Sequence, residues 1–226
     1  PGVLPPRIAI AGVRPAPTTE DETDLARTLG DSDALLVVGN TQFNDEEREA
    51  IETFVENDGR FVVATDDGSV DSDLISLTSA FGVTIADGYL YNMHDNDANY
   101  QRVHGSGTGS ISGADRLVFD RVSPVSGTGT PVASVANEET HYSETREPGS
   151  FDVAMQSGSV MLIGDSNLYN SLNYNRGDNE QLVTRSLEFL TSGPPDPYTA
   201  EPDTEQVPPR PPQEPPTEET AEPPAE

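Results

Sequence analysis

Lysine is absent from this 226-residue chain: all 12 basic residues are arginines, set against 40 acidic ones, for a formal net charge of -28. Binding a nucleic-acid backbone needs a clustered Lys/Arg face. Nucleic acid is therefore excluded as a partner, and direct binding to an anionic membrane surface falls with it. Cysteine is absent too, which removes disulfides, thiolate metal sites and a cysteine nucleophile. No run approaches the roughly 18 consecutive apolar residues of a membrane span, and Pro1 opens no charged-then-apolar leader, so neither is expected within this sequence. There is no Asn-x-Ser/Thr sequon for N-glycosylation.

Acidic excess in an unfolded chain goes with a shortage of apolar runs, but Ala34-Leu35-Leu36-Val37-Val38 and Val160-Met161-Leu162-Ile163 are core-forming. The charge therefore belongs to a folded surface. The stretch from Pro194 holds Asp196, Asp203 and seven glutamates against Arg210, which leaves 31 acidic and 11 basic residues, a net of -20, on residues 1–193. Such self-repulsion destabilises a compact state unless counter-ions screen it, and at molar salt the Debye length falls to about 3 Å. Acidity together with a complete lack of lysine points to a halophilic source.

Along the chain, Arg7–Val13 reads as a short strand, followed by a helix capped around Thr19-Glu20-Asp21-Glu22 and ending near Gly30. Ala34–Val38 has the continuous apolar character of a strand buried on both faces. Asn44-Asp45-Glu46-Glu47 caps a helix with Ile51, Phe54 and Val55 on one face, closed by Gly59. Phe61–Ala64 is a further buried strand, then a helix runs through Leu74, Leu77, Thr78 and Phe81, and Val83–Tyr91 returns as a strand. This alternation predicts an α/β fold with a mostly parallel sheet flanked by helices, flavodoxin-like or class I amidotransferase-like. A polar, glycine-rich stretch from Asn92 and short strands at Arg116–Val122, Val132–Ala136 and Phe151–Gln156 suggest a β-rich insertion or antiparallel extension over about 92–156. Val160–Gly164 restores a buried strand. Glu180–Leu190 closes the domain as a helix with Leu182, Val183, Leu187 and Leu190 inward.

Residues 194–226 carry twelve prolines and almost no large apolar side chain, the composition of a disordered spacer. In polyproline form, at about 3.1 Å per residue, it would reach on the order of 100 Å. The expected organisation is one domain over 1–193 and this tail.

Two stretches carry a resemblance. Ala34–Gly39 through the Asp45–Asn57 helix to Gly59-Arg60-Phe61-Val62-Val63-Ala64, and Gly158–Ser166 with the closing Gly177-Asp178-Asn179 to Leu190, resemble a haloarchaeal family with a class I glutamine-amidotransferase-like fold. Accessory domains of gliding-motility transporters and of intraflagellar transport are relatives of that fold. The resemblance implies an extracytoplasmic, membrane-anchored domain without an assigned activity, often encoded near MoxR-type ATPases. Amidotransferases of this fold place a cysteine at the strand-turn-helix elbow. That elbow falls near Asp66, and aspartate cannot form the thioester, so amidotransfer is excluded.

Open parallel sheets bind ligands outside the carboxyl ends of their strands, which selects Asn40, Thr41, Asp66, Asp67, Asp165 and Ser166. The carboxylates there would favour a hard cation such as Ca²⁺ or a polyhydroxylated ligand and repel phosphates. The same residue types cap helices, and capping is the favoured reading. Gly164-Asp165-Ser166 is also similar to the nucleophile block of lipase/esterase-type hydrolases, but no histidine follows Ser166 to activate it. His94-Asp95-Asn96-Asp97 opens like a calcium loop, yet Tyr100 stands where glycine is required and no glutamate follows at loop position twelve. With His104, the residues His94, Asp95 and Asp97 form the candidate set for a divalent cation. A solvated loop is the alternative. Gly105-Ser106-Gly107-Thr108-Gly109-Ser110 lacks the Gly-Lys-Ser/Thr of a phosphate loop and reads as a flexible turn.

These readings converge on a non-enzymatic, extracytoplasmic binding or scaffold domain without a cofactor, working with protein partners in a membrane or cell-surface assembly. The alternatives are a cation-dependent hydrolase at the Asp66/Asp165/Ser166 edge and, for location, a halophile cytoplasm.

Overall fold

Three apolar segments, 34–38, 60–64 and 160–163, form the centre of the parallel half because each is buried on both faces and pairs with others of its kind, while the edge segment 8–11 leaves Ile10 exposed. The computed structural model describes residues 7–11, 22–39, 41–66 and 72–192. Strands β1 (Ile8–Ala11), β2 (Ala34–Val38), β3 (Arg60–Ala64) and β11 (Val160–Ile163) lie parallel in that order. Their registers pair Ile8 with Ala34, Ala34 with Arg60, and Phe61 with Val160. The helices between the first three are α1 (Glu22–Gly30) and α2 (Asp45–Glu56), and α3 (Ser72–Ala80) follows β3.

The expectation of a mostly parallel sheet is corrected beyond β11. There the sheet continues antiparallel through β10 (Pro148–Ser157), β9 (Thr130–Tyr142), β6 (Arg102–Gly107) and β7 (Leu117–Asp120). The physical reason is connection length, since a parallel neighbour needs a long crossover. Instead β10 and β11 are joined by a tight turn at Gly158, which has φ 54°. Register shifts along β9 and β10 show where this long ribbon bends. The region 92–156 therefore extends the same sheet.

The expected single strand at Val83–Tyr91 is two short ones. β4 (Val83–Ile85) pairs with β8 (Val125–Gly127) in a separate two-stranded sheet, while β5 (Leu90–Asn92) pairs with β9. Gly88, with φ 79°, turns the chain between them. The glycine-rich 105–110 stretch is also corrected. Gly105 and Gly107 belong to β6, where an added Cβ would lie 2.7 Å from the Phe119 ring and 2.2 Å from the Ile111 carbonyl oxygen. These glycines permit close packing.

The pleat sends alternate side chains to two cores. Leu35, Val37, Phe61, Val63 and Leu162 meet Leu25, Leu29, Ile51, Leu74 and Leu77 of the first three helices. Leu36, Val62, Met161 and Ile163 meet Leu182, Phe189 and Leu190 of α4 (Asn179–Thr191), together with Leu90, Val103 and Phe119 from the antiparallel half. Leu187, expected inward, is 42% exposed, and Phe189 takes the core position. The Asn44 cap is as expected and forms a complete capping box, in which cap and third residue satisfy each other's backbone N–H. The Asn44 side chain accepts from Glu47 N at 2.8 Å while Glu47 accepts from Asn44 N at 3.2 Å. The Thr19–Asp21 cap, Asn40, Asp67 and the 194–226 tail lie outside the described residues.

Candidate functional site

β3 and β11 are hydrogen-bonded neighbours, yet the chain leaves them for opposite faces, β3 toward α3 and β11 toward α4. That divergence makes the carboxyl edge between them the topological switch point of the sheet, where an open α/β fold presents its crevice. Asp66 follows β3 and Gly164-Asp165-Ser166 follows β11, so the structure does bring Asp66, Asp165 and Ser166 together.

Their geometry is that of a clasp. One Asp66 carboxylate oxygen accepts from the Ser166 backbone N–H at 2.6 Å and the other from the Ser166 hydroxyl at 2.5 Å. Asp165, only 1% exposed, accepts from Asn167 N at 2.8 Å, capping the short 3₁₀ turn Ser166–Tyr169, and from Asp120 N at 2.7 Å, fastening the end of β7. Burial pushes the Asp165 carboxyl well above the usual carboxylate range; the N–H of Asp120 pulls it back, and the nearby Asp66 charge pushes it up again. Asp120 in turn pairs with Arg102 at 2.9 Å. Gly164 is required by close approach, since a Cβ there would stand 2.0 Å from the Ser123 carbonyl oxygen. Gly-Asp-Ser thus has a structural use at each position. Thr41 is fully buried at the end of β2.

Thr65 and Asp120 were not selected from sequence. Thr65 is fully buried and its hydroxyl has no hydrogen-bond partner. A threonine at a strand end gives no sequence signal for that. Asn179 was missed as well: buried at the start of α4, it bonds both the N–H and the carbonyl of Val118 at 2.8 Å.

The second candidate set comes only partly together. The buried Asn92 side chain accepts from the N–H groups of His94 and Asp95, shaping the turn. Asp95 faces His104 at 3.7 Å and accepts from Asn137 at 3.0 Å. Asp97 is held by Arg176 at 2.5 Å, and His94 is exposed. Among the described residues no three His, Cys, Asp or Glu side chains converge as a metal would require. No described helix is long and apolar enough to cross a membrane.

The class of protein this defines is an α/β domain whose parallel half ends in a clasped switch point and whose antiparallel half curls over one face. The chain belongs to the family described as a domain of unknown function, DUF4350, matched over residues 10–187. No curated protein matches it. Among solved structures it is similar to the mmIFT52 N-terminal domain, at 13% identity and a TM-score of 0.63, over 79% of this chain and 85% of that one. A ThuA-like protein from Bacteroides uniformis is similar at 11% identity and a TM-score of 0.53, over 78% and 76%. α-L-Fucosidase isoenzyme 2 from Paenibacillus thiaminolyticus gives 10% identity and a TM-score of 0.50, over 82% of this chain and 33% of that one. At such identities the likeness is one of fold.

Proposed function

We propose that this chain is a non-enzymatic binding or scaffold domain of a halophilic cell-surface or membrane-associated assembly, facing the extracytoplasmic side and working through protein partners. The observation that supports it is the use made of the strand-end polar groups. The Ser166 hydroxyl donates to Asp66, and both Asp165 oxygens accept backbone N–H groups, so the would-be catalytic side chains are taken up by bonds within the protein. Where an amidotransferase of this fold would carry its cysteine, Asp66 acts as a clasp. The shared fold with the mmIFT52 N-terminal domain is in keeping with this reading. Isolation from native membranes at high salt tests it: the protein is expected in a stable complex, and recovery solely as a free monomer would overturn the proposal.

A second reading, a cation-dependent hydrolase at Asp66, Asp165 and Ser166, draws on two observations. The unpaired Thr65 hydroxyl follows β3 directly before Asp66, and Asp165 is held toward its protonated form, as a proton donor would be. Activity on ester or glycan panels that vanished in Ser166→Ala would favour it. Activity unchanged in that variant would sink it.

A further inference from the structure

The clasp ties the carboxyl ends of β3 and β11 together, and a concavity lies at the opposite edge of the parallel strands. There a groove of about 1050 Å³ runs along α2 between α1 and the last turn of α4. Its apolar floor is Ala26, Leu29, Ala50, Phe54 and Leu190, and its rim carries Asp33, Glu46, Glu49 and Asp58. Positions 46, 49, 50, 53 and 54 line it as one stripe of α2 at helical spacing, continued by the C-cap residue Asn57. At the helical rise of roughly 1.5 Å per residue, the groove follows the helix for about 17 Å. Phe54 is seated by Gly59, where a Cβ would meet its ring at 2.5 Å.

The exposed charges on the rim are acidic. Gly30, Asn57 and Leu190–Ser192 all line the groove, so the carboxyl ends of α1, α2 and α4 meet there. Helix carboxyl ends carry partial negative charge that basic residues normally offset; α1 has Arg27 in its last turn, whereas α2 and α4 have no basic residue there. Arg60 also lines the groove, with its guanidinium over the Phe189 ring at 4.9 Å.

We propose that this groove docks a basic, apolar extended segment of a partner protein, apolar side chains on the Leu29–Phe54 floor and arginines or lysines against the rim. The proposal rests on the binding-domain reading above. Charge selects this occupant over two others. Residues 193–226, which continue from Ser192, carry nine acids and one arginine, and a second copy of the chain brings a net charge of -28, so both are repelled. At molar salt the rim acts only at contact distance, which leaves affinity to the floor and orientation to the charges.

The test is fluorescence anisotropy of the intact protein with a dye-labelled peptide of alternating arginine and leucine, beside a glutamate–leucine control. Saturable binding of the first peptide alone is expected. It should weaken at least tenfold in Glu46→Arg/Glu49→Arg and in the groove-filling Ala50→Trp, and change less than twofold in Glu138→Arg/Glu139→Arg, which alters net charge equally on β9. All the substituted positions are at least partly exposed, and unchanged melting temperatures verify the fold. No saturable binding, or equal weakening by both charge reversals, would overturn the groove. A native complex that survives Glu46→Arg/Glu49→Arg would overturn it while leaving the scaffold reading intact. Absence of any complex with the unaltered protein strikes the scaffold reading instead.

Discussion

The Asp66 carboxylate takes both the backbone N–H and the hydroxyl of Ser166, a residue one hundred positions later, and so ties the end of β3 to the end of β11. The two strands already pair in parallel. The clasp extends that pairing past the last ladder bond, at the point where the chain leaves for opposite faces.

Removing the Ser166 hydroxyl takes one charge-assisted bond and leaves the backbone one. Ser166→Ala is expected to cost about 1–2 kcal/mol, and Asp66→Ala more, about 2–3 kcal/mol, because it strands both donors. Denaturant unfolding of the two single variants and the double variant checks this. Strictly additive losses would show that the contact carries no coupling energy.

Asp165 sets a pH dependence of definite sign. Its folded-state pKa is raised, chiefly by burial, so folding favours the protonated form. The stability it confers is complete below the ordinary carboxylate value of about 3.9 and declines as pH rises from there through its raised folded value. The stability difference between the unaltered protein and Asp165→Asn should therefore shrink as pH climbs through that window, then level off. A flat difference would contradict the burial of an ionisable group at this position.

Two glycines separate packing from conformation. Gly164→Ala places a methyl 2.0 Å from the Ser123 carbonyl oxygen, whereas Gly30→Ala meets nothing within 4 Å. The first is expected to lose several kcal/mol or fail to fold, and the second to gain about 0.4–1 kcal/mol by narrowing the unfolded ensemble. Melting temperatures at fixed salt distinguish them.

The 92–97 turn is organised by side chains of the protein itself, through Asn92 beneath it and Arg176 across Asp97. Chelation at constant ionic strength is expected to leave the melting temperature unchanged. Arg176→Ala is expected to lower stability slightly, by no more than about 1 kcal/mol for a partly exposed pair. A drop on chelation that calcium reverses would return His94, Asp95, Asp97 and His104 to the position of metal ligands.

Much of the parallel half is legible in the chain. The apolar runs at 34–38, 61–64 and 160–163 read as buried strands, and Asn44 with Glu47 reads as a cap, because burial on both faces and helix termini leave local signatures. The antiparallel half is legible only in part: the strands at 116–122, 132–136 and 151–156 and their antiparallel extension are read from sequence, but the strand order is not. Strand Val83–Tyr91 breaks at Gly88 and sends its two pieces to different sheets, and Leu187 and Phe189 exchange the roles that periodicity gives them. Of the candidate site, Asp66, Asp165 and Ser166 are visible as strand-end polar residues, but Thr65 and Asp120 are not.

By itself the sequence determined the acidic, lysine-free surface, the absence of thiol chemistry and the strand segments of an α/β core, since each depends only on residue type and short-range pattern. Tertiary structure alone decided which strands are neighbours, and hence that Asp66 meets Ser166 while Asp97 meets Arg176. Those pairings join residues 100 and 79 positions apart. No local rule encodes such separations; they follow from which apolar faces can be buried together once the whole chain has closed on its core.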